Sequence, residues 1–225
     1  WSNYVEAWTS ANMSHYFLNS LIQAGATVIV LAIVSTMAAY VLSRFDFKCN
    51  KFLLLFFMLG MMVPVHTVLV PVSYIIGALN LKNNIPALVM IYVAFSLPFS
   101  ILVVTNFMKG VNRSLEEAAL IDGATYFQIY KNVMLPMTVP AISTISIFNF
   151  LGVWNEFFMA LIFASSERMT PVGVGLLQIV NSMKYTGDYG GLFAAVVIVF
   201  LPTFLLYIFL SEKIIAGVTG GGIKG

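Results

Sequence analysis

The sequence predicts an all-α integral membrane protein, built as a bundle of kinked helices. Of its 225 residues, 60% are hydrophobic and only 9% are charged, whereas a soluble domain carries about 25% charged residues. The mean hydropathy is +0.94, and the hydrophobic runs exceed the roughly 18 residues that mark a membrane span. These runs are expected to be helices because an open sheet would leave unpaired backbone groups in lipid.

Five hydrophobic runs are predicted to cross the bilayer: residues 17–43, 52–79, 85–108, 137–163 and 192–211. Prolines in these runs remove backbone donors and crowd the preceding turn, which predicts kinks or short unwound segments. They are Pro64, Pro71, Pro98, Pro140 and Pro202. Because the chain opens at Trp1 without an initiator Met, we expect an N-terminal segment before it.

The distribution of lysine and arginine predicts the orientation. With segment 44–51 in the cytoplasm, eight cations lie on that side: Arg44, Lys48, Lys51, Lys109, Arg113, Lys131, Lys213 and Lys224. Three lie on the other side: Lys82, Arg168 and Lys184. Residues 1–16 are therefore predicted to be an extracytoplasmic segment. It precedes a transmembrane domain, 17–225, whose insert at 110–136 and tail at 212–225 are cytoplasmic.

The segment 164–191 falls outside the membrane in this arrangement. Its middle, residues 172–183, is partly apolar and is predicted either to lie on the membrane surface or to fold back into the bundle. Loops of this length are uncommon unless they are functional. The segment is therefore a candidate surface for an extracytoplasmic partner.

The cytoplasmic insert begins with a predicted short helix. Ser114 followed by Glu117 fits a capping box, so the helix is expected to start at Leu115. The spacing i, i+3 and i+4 places four residues on one face: Leu115, Ala118, Ala119 and Asp122. The small alanines would let a partner approach that face closely.

A corner and a second short helix are predicted to follow. Gly123 is placed to end the first helix in a left-handed turn. Thr125 and Gln128 form a second capping box, for a helix running to about Asn132. Leu135-Pro136 is expected to end the insert and begin the next span.

Polar side chains inside the spans are candidate functional residues, because they are costly in lipid. Glu156 is the only acid in the middle of an apolar run, and its spacing from Asn149 predicts nearly the same helical face. One interpretation puts them on a translocation path, where they hydrogen-bond the cargo and an aromatic ring stacks on it. The other, which we favour, makes them interhelical or interfacial anchors. The candidate path residues are Asn149, Trp154, Asn155, Glu156, Ser96 and Ser100.

Several motifs accompany this pattern. The insert reads E-A-A-x3-G, in Glu117-Ala118-Ala119 and Gly123, with Leu135-Pro136 further on. Other segments read Ala38-Ala39-Tyr40, Ser43-Arg44-Phe45, Met62-Val63-Pro64 with Pro71, Trp154-Asn155-Glu156-Phe157, and the ending Gly217 to Gly225. From residue 17 onward the chain resembles the permeases of ABC importers, in the carbohydrate-uptake branch of the maltose-transporter kind.

The resemblance implies the type I ABC importer permease fold, in the cytoplasmic (inner) membrane of a bacterium or archaeon. That fold normally has six spans, so the first of them is expected to precede Trp1. It implies three partners besides the lipid bilayer: a second permease, expected as a heterodimer, an ABC ATPase dimer, and an extracytoplasmic solute-binding protein. ATP binding would move the insert and switch the cavity between inward- and outward-facing states. The residues implied to couple to the ATPase are Glu116, Glu117, Ala118, Ala119, Asp122, Gly123, Ala124, Leu135 and Pro136.

The sequence gives little support for other functional classes. There is no G-x-x-x-x-G-K-(S/T) loop to cradle phosphates, so ATP and Mg are expected on the partner ATPase and no cofactor on this chain. The net charge of +2 gives no indication of a nucleic-acid partner. The single cysteine, Cys49, excludes an intrachain disulfide and a Cys-rich metal site. The sequence has no HExxH or GxSxG motif and no paired intramembrane acids, which argues against an enzyme.

Two alternatives remain open from the sequence. An ABC permease for a non-sugar solute, such as an amino acid or peptide, would carry the same insert. A secondary transporter coupled to an ion gradient would use Glu156 and His66 as proton sites. Its uptake would respond to an uncoupler and ignore changes in the insert.

Overall fold

The computed structural model describes residues 1–164 and 166–220, which contain helices and no strand. In order, the elements are α1 (Ser2–Thr9), α2 (Met13–Arg44), α3 (Asn50–Met61), α4 (Val65–Ala78), α5 (Ile85–Gly110), α6 (Ser114–Ile121), α7 (Tyr126–Ile129), a π-helical segment (Tyr130–Met134), α8 (Leu135–Met137), α9 (Val139–Trp154), α10 (Phe158–Phe163), a 3-10 turn (Glu167–Met169), α11 (Val172–Thr186) and α12 (Tyr189–Gly220). Of the predicted tail, residues 221–225 lie outside the described part.

Within the described residues, three helices are long and apolar enough to cross a membrane: Met13–Arg44, Ile85–Gly110 and Tyr189–Phe209. The number rises to five if α3 with α4, and Tyr126–Met137 with α9, each count as one bent span. The predicted all-α membrane class is confirmed.

Two predicted spans differ from the structure. The run 52–79 is two helices rather than one, because Pro64 has extended backbone angles (φ −64°, ψ 122°) and α4 begins after it; this break is of the kind predicted at that proline. The run 137–163 is not one helix, because α9 ends at Trp154 and α10 starts only at Phe158. By contrast, α4, α5 and α12 continue as helices through their internal prolines, Pro71, Pro98 and Pro202.

The chain forms two compact units. The first contains residues 1–27, 64–92 and 149–211. Its buried core gathers residues from both ends of the sequence: Ala7, Met13, Tyr16, Trp154, Val172, Ala194 and Ala195. The predicted N-terminal segment 1–16 is therefore helical and packed, and α2 already begins at Met13.

Segment 164–191 folds back into the first unit, which decides between its two predicted placements. Val172 in α11 is fully buried. The Asn19 amide donates to the Thr170 carbonyl at 3.0 Å, and the Gln23 amide donates to the Met169 carbonyl at 2.7 Å. The Val172 N–H donates to Ser20 Oγ at 2.9 Å. Buried side chains of α2 thus satisfy the backbone just before α11, as buried polar groups require.

The second unit contains residues 28–63 and 93–148 and carries the insert. Its core joins α2 and α5 to the second half of the insert and to α9. The buried members are Ala39, Tyr40, Val104, Met108, Ile129, Met134, Ala141 and Ile145.

Candidate functional site

The insert begins with α6, but not with the predicted capping box. The helix already includes Ser114, so that hydroxyl lies inside the first turn and caps nothing. Asn112 caps the end instead: its Oδ1 accepts the Ser114 N–H at 3.1 Å. Short polar side chains two residues before a helix commonly form such turns. The capping prediction was wrong: the helix begins one residue earlier than predicted, at Ser114, and the side chain that caps it is that of Asn112.

The predicted corner at Gly123 is confirmed. Gly123 has φ +82°. Its N–H donates to the Leu120 carbonyl at 3.0 Å, and the Ala124 N–H donates to the Ala119 carbonyl at 2.9 Å. This pair of bonds is the Schellman ending, which needs a left-handed residue and therefore favours glycine.

The second capping box is confirmed as well. The Gln128 N–H donates to Thr125 Oγ1 at 3.4 Å, and the Thr125 N–H donates to Gln128 Oε1 at 2.8 Å. The helix does not end near Asn132, however. It continues through the π-helical segment into α8 and reaches Met137, so Leu135-Pro136 lies within helical backbone rather than between the insert and a span.

The predicted coupling residues divide between two faces. Glu116, Ala119 and Ala124 are partly buried, and both alanines pack on the core of the second unit. Glu117, Ala118, Asp122 and Gly123 are exposed. The paired alanines therefore do not share one face, because Ala119 is turned toward the protein and Ala118 toward solvent. In the later helix, Leu135 is partly buried and Pro136 is exposed.

Large apolar side chains surround the exposed residues of the insert. Ile121 is 86% exposed and Phe127 is 65% exposed. We name this group the insert patch, and its members are Leu115, Leu120, Ile121, Tyr126 and Phe127. Exposed apolar patches commonly mark sites where another protein binds.

One cation from outside the insert holds it in place. Arg44 is the last residue of α2, and its side chain is 5% exposed. Its Nε lies 2.5 Å from Glu116 Oε1, as an ion pair. Neither atom makes a directed hydrogen bond within the described residues. Its Nη2 donates to the Val111 carbonyl at 3.0 Å and lies 3.7 Å from Met134 Sδ.

Burial raises the pKa of the Glu116 carboxyl. Arg44 and Arg113 oppose this by favouring the charged form, whereas Glu117 adds to it. Desolvation is the largest of these effects, because the side chain is only 12% exposed. Sequence reasoning used Arg44 for the orientation and in a family motif, but predicted no contact between it and the insert. The available signal was a cation directly after an apolar run.

Among the predicted path residues, Glu156 has a structural role. Its Oε1 accepts the Met159 N–H at 2.7 Å, and its Oε2 accepts the Ala160 N–H at 3.0 Å. The Tyr92 hydroxyl donates to Oε2 at 3.3 Å. The carboxylate thus caps α10 and ties it to α5, which agrees with the interpretation that we favoured. Glu156 and Asn149 do not share a helical face, because α9 ends between them.

The remaining path candidates are dispersed. The Trp154 ring is 2% exposed, and its Nε1 donates to the Val199 carbonyl at 3.2 Å. The exposed Asn155 donates to the Leu151 carbonyl at 2.8 Å. Asn149 is buried in the first unit. Ser96 and Ser100 belong to the second unit, where the Ser100 hydroxyl donates to the Ser96 carbonyl at 3.0 Å.

The part of the chain that the structure describes contains no group of three or more His, Cys, Asp or Glu side chains suited to a metal ion. His66, the other proton-site candidate, packs its ring edge-on against Phe158 with centroids 5.0 Å apart.

Comparison with known proteins decides the family. Residues 29–212 match the family described as binding-protein-dependent transport system inner membrane component. The chain belongs to this family. It is therefore a permease, a transport subunit rather than an enzyme, and a multi-pass protein of the inner membrane.

Relatives of the permease support this assignment. The diacetylchitobiose uptake system permease NgcG of Streptomyces coelicolor is 36% identical, over 99% of this chain and 74% of the relative. The trehalose/maltose transport system permease MalG of Thermococcus litoralis is 32% identical, over 93% of this chain and 75% of the relative. A crystal structure of a bacterial ABC transporter involved in alginate import shares the fold, with a TM-score of 0.83 at 21% identity over 94% of this chain and 78% of that one.

Proposed function

We propose that this permease carries a sugar or oligosaccharide across the membrane as part of an ATP-driven importer. Its partners would be a second permease, an ABC ATPase dimer and an extracytoplasmic solute-binding protein. ATP and Mg would bind the ATPase alone. The observation that carries the proposal is the insert: a rigid corner of two capped helices that presents apolar side chains to solvent.

The insert is suited to docking because its backbone is already ordered. The Schellman ending and the Thr125–Gln128 box satisfy the helix ends locally, so little conformational entropy would be lost when a partner binds. Ile121 and Phe127 would supply buried apolar area at the centre of the contact. Glu117 and Asp122, both exposed, would form its polar rim.

The sugar cargo is supported by the named relatives, which take up diacetylchitobiose and trehalose or maltose. An ion-coupled mechanism is less well supported. Both of its proton-site candidates have structural contacts, since Glu156 caps α10 and His66 packs on Phe158.

Purification tests the assembly. The tagged permease is extracted from its native membrane in mild detergent, and its companions are identified by mass spectrometry. Recovery of an ABC ATPase and a second permease supports the proposal. Recovery of an intact chain without either contradicts it.

Uptake tests the energy source and the cargo. Cells receive labelled disaccharides or labelled amino acids, after ATP depletion or addition of an uncoupler. We expect ATP-dependent sugar uptake, lost on deletion of the permease gene and insensitive to the uncoupler at constant ATP. Uptake that follows the uncoupler would support the ion-coupled alternative, and uptake of amino acids alone would reject the sugar cargo.

A further inference from the structure

Arg44 contacts three separate parts of the insert. Val111 belongs to the chain entering α6, Glu116 to α6 itself, and Met134 to the π-helical segment. Each of these segments contacts the guanidinium directly, with an atom of its own: a backbone carbonyl oxygen, a carboxylate oxygen and a thioether sulfur. A displacement of the insert relative to the end of α2 must therefore break or drag at least one of the contacts.

The contacts are of a kind that resists breaking. The Arg44 side chain is 5% exposed and that of Glu116 is 12% exposed, so separating them leaves a poorly hydrated charge on each side. Removing one partner from such a pair is strongly unfavourable. The planar guanidinium presents several donors in a fixed arrangement, and here it reaches Glu116 and the Val111 carbonyl at the same time.

Aromatic packing next to the ion pair reinforces the link. Tyr40, one turn before Arg44 in α2, lies with its ring centroid 5.5 Å from that of Tyr130 in the π-helical segment. The Tyr130 hydroxyl is 2.9 Å from Thr36 Oγ1, one further turn along α2. The last turns of α2 thus contact the insert through Thr36 and Tyr40 as well as through Arg44.

We propose that Arg44 is a positioning residue that transmits movement of the insert to α2, with Glu116 as its ion partner. The inference rests on the proposed function, because it takes the insert to be the part that the ATPase moves. Arg44 contacts neither ATP nor cargo in this mechanism. It makes α2 follow the insert, so that hydrolysis and transport stay coupled.

The test is a double-mutant cycle in the reconstituted complex. The variants are Arg44→Gln, Glu116→Gln and the double variant, with Arg44→Lys as the conservative change. Lys51→Gln, which removes an exposed cation from the first turn of α3, is the matched control. The readouts are recovery of the ATPase with the permease, ATP hydrolysis, and uptake per ATP hydrolysed.

We expect both single variants to recover the ATPase as wild type does, because Arg44 and Glu116 are partly buried and lie outside the exposed insert patch. Uptake per ATP should fall roughly fivefold or more, the lower end of the range for coupled sites. Uptake per ATP in the double variant should be no lower than in the more impaired single variant, because both substitutions remove the same link. Arg44→Lys should restore part of the uptake, and Lys51→Gln should match wild type.

Three results would overturn the inference: unchanged uptake per ATP in the single variants, losses that multiply in the double variant, or ATPase recovery that falls in parallel with uptake. The last result would make Arg44 only a structural anchor. Failure of the proposed function would look different, because the wild-type permease would then recover no ATPase.

Discussion

At the scale of single residues, burial makes the ionised form of Glu116 less favourable in the folded protein than in water. Burial raises the pKa of its carboxyl above the ordinary value of 4.5, even though Arg44 favours the charged form. A carboxyl whose folded-state pKa is raised stabilises the fold below the ordinary value, and this contribution is lost as the pH rises through the raised pKa. Above that raised pKa, the ionised carboxyl therefore lowers the free energy of unfolding.

This sign gives a stability prediction for Glu116→Gln. Relative to the variant, which has no carboxyl to titrate at this position, wild type should lose thermal stability as the pH rises through the raised pKa of Glu116. The difference in melting temperature between wild type and the variant should therefore shift toward the variant as the pH rises. Thermal unfolding of the purified permease in detergent measures it. A difference that shifts toward wild type as the pH rises would contradict the prediction.

Glu156 is the second residue whose role can be tested directly. Glu156→Ala leaves two backbone N–H groups of α10 and the Tyr92 hydroxyl without their acceptor. We expect the free energy of unfolding to fall by about 1–3 kcal/mol, and assembly and uptake to decline together. Melting temperature, complex recovery and uptake are the measurements. If uptake alone declined, Glu156 would belong to the translocation path.

At the scale of elements, the corner between α6 and α7 depends on one left-handed residue. Gly123 has φ +82°, and a Cβ there would meet nothing within 4 Å. A substitution is therefore opposed by backbone strain and not by a clash within the chain. For most side chains the left-handed conformation costs roughly 1–2 kcal/mol, whereas Asn adopts it more readily.

These facts separate strain from contact at Gly123. Gly123→Val should strain the corner and abolish most uptake with the protein still in the membrane, while Gly123→Asn should keep the corner and more of the activity. Gly187→Val is a matched control, because Gly187 has φ +68° and equally open surroundings at the end of α11. Uptake and membrane content are measured for all three. Equal loss in the Val and Asn variants would show that a partner excludes any side chain there.

Packing of α11 depends on Gly175, where a neighbouring side chain leaves no space for a Cβ atom. A Cβ on Gly175 would overlap the Tyr16 ring, which is buried and fixed by a hydrogen bond from its hydroxyl to Gln178 at 2.7 Å. Gly175→Ala should therefore destabilise the first unit by roughly 1–3 kcal/mol. Gly152→Ala in α9 is the control, because its Cβ would meet nothing within 4 Å. Melting temperatures of the two variants compare them, and equal values would contradict the overlap.

At the scale of the whole molecule, the orientation follows from the cation distribution and can be tested by labelling. The variants Ile121→Cys and Tyr185→Cys are made separately in a Cys49→Ser background, because Cys49 is free and exposed. Each variant places a single thiol where the native side chain is exposed, by 86% at residue 121 and by 92% at residue 185. A membrane-impermeant maleimide should reach residue 185 from outside the cell and residue 121 only in inverted vesicles. The reverse pattern would contradict the orientation.

The same thiol at residue 121 reports on docking. If the insert patch is covered by the ATPase, labelling in inverted vesicles should fall when the ATPase is coexpressed and return when it is stripped. Labelling that ignores the ATPase would place the contact elsewhere on the chain.

The sequence by itself determined that this protein lies in a membrane, and it determined the local structure of the insert. Hydrophobic runs and low charge indicate membrane helices regardless of how the helices pack. The corner at Gly123 and the Thr125–Gln128 box were also predictable, because their hydrogen bonds join residues three to five positions apart. Even so, the start of α6 was misplaced, since Asn112 competed with Ser114 for the cap.

Only the tertiary structure decided which side chains serve the insert and which serve packing. Arg44 meets Val111 across 67 positions of sequence, and Asn19 meets Thr170 across 151. It also showed that the chain turns between Asn149 and Glu156, so the carboxylate caps α10 instead of sharing a helical face. Such pairs depend on where the chain returns in space, and no local spacing encodes that position.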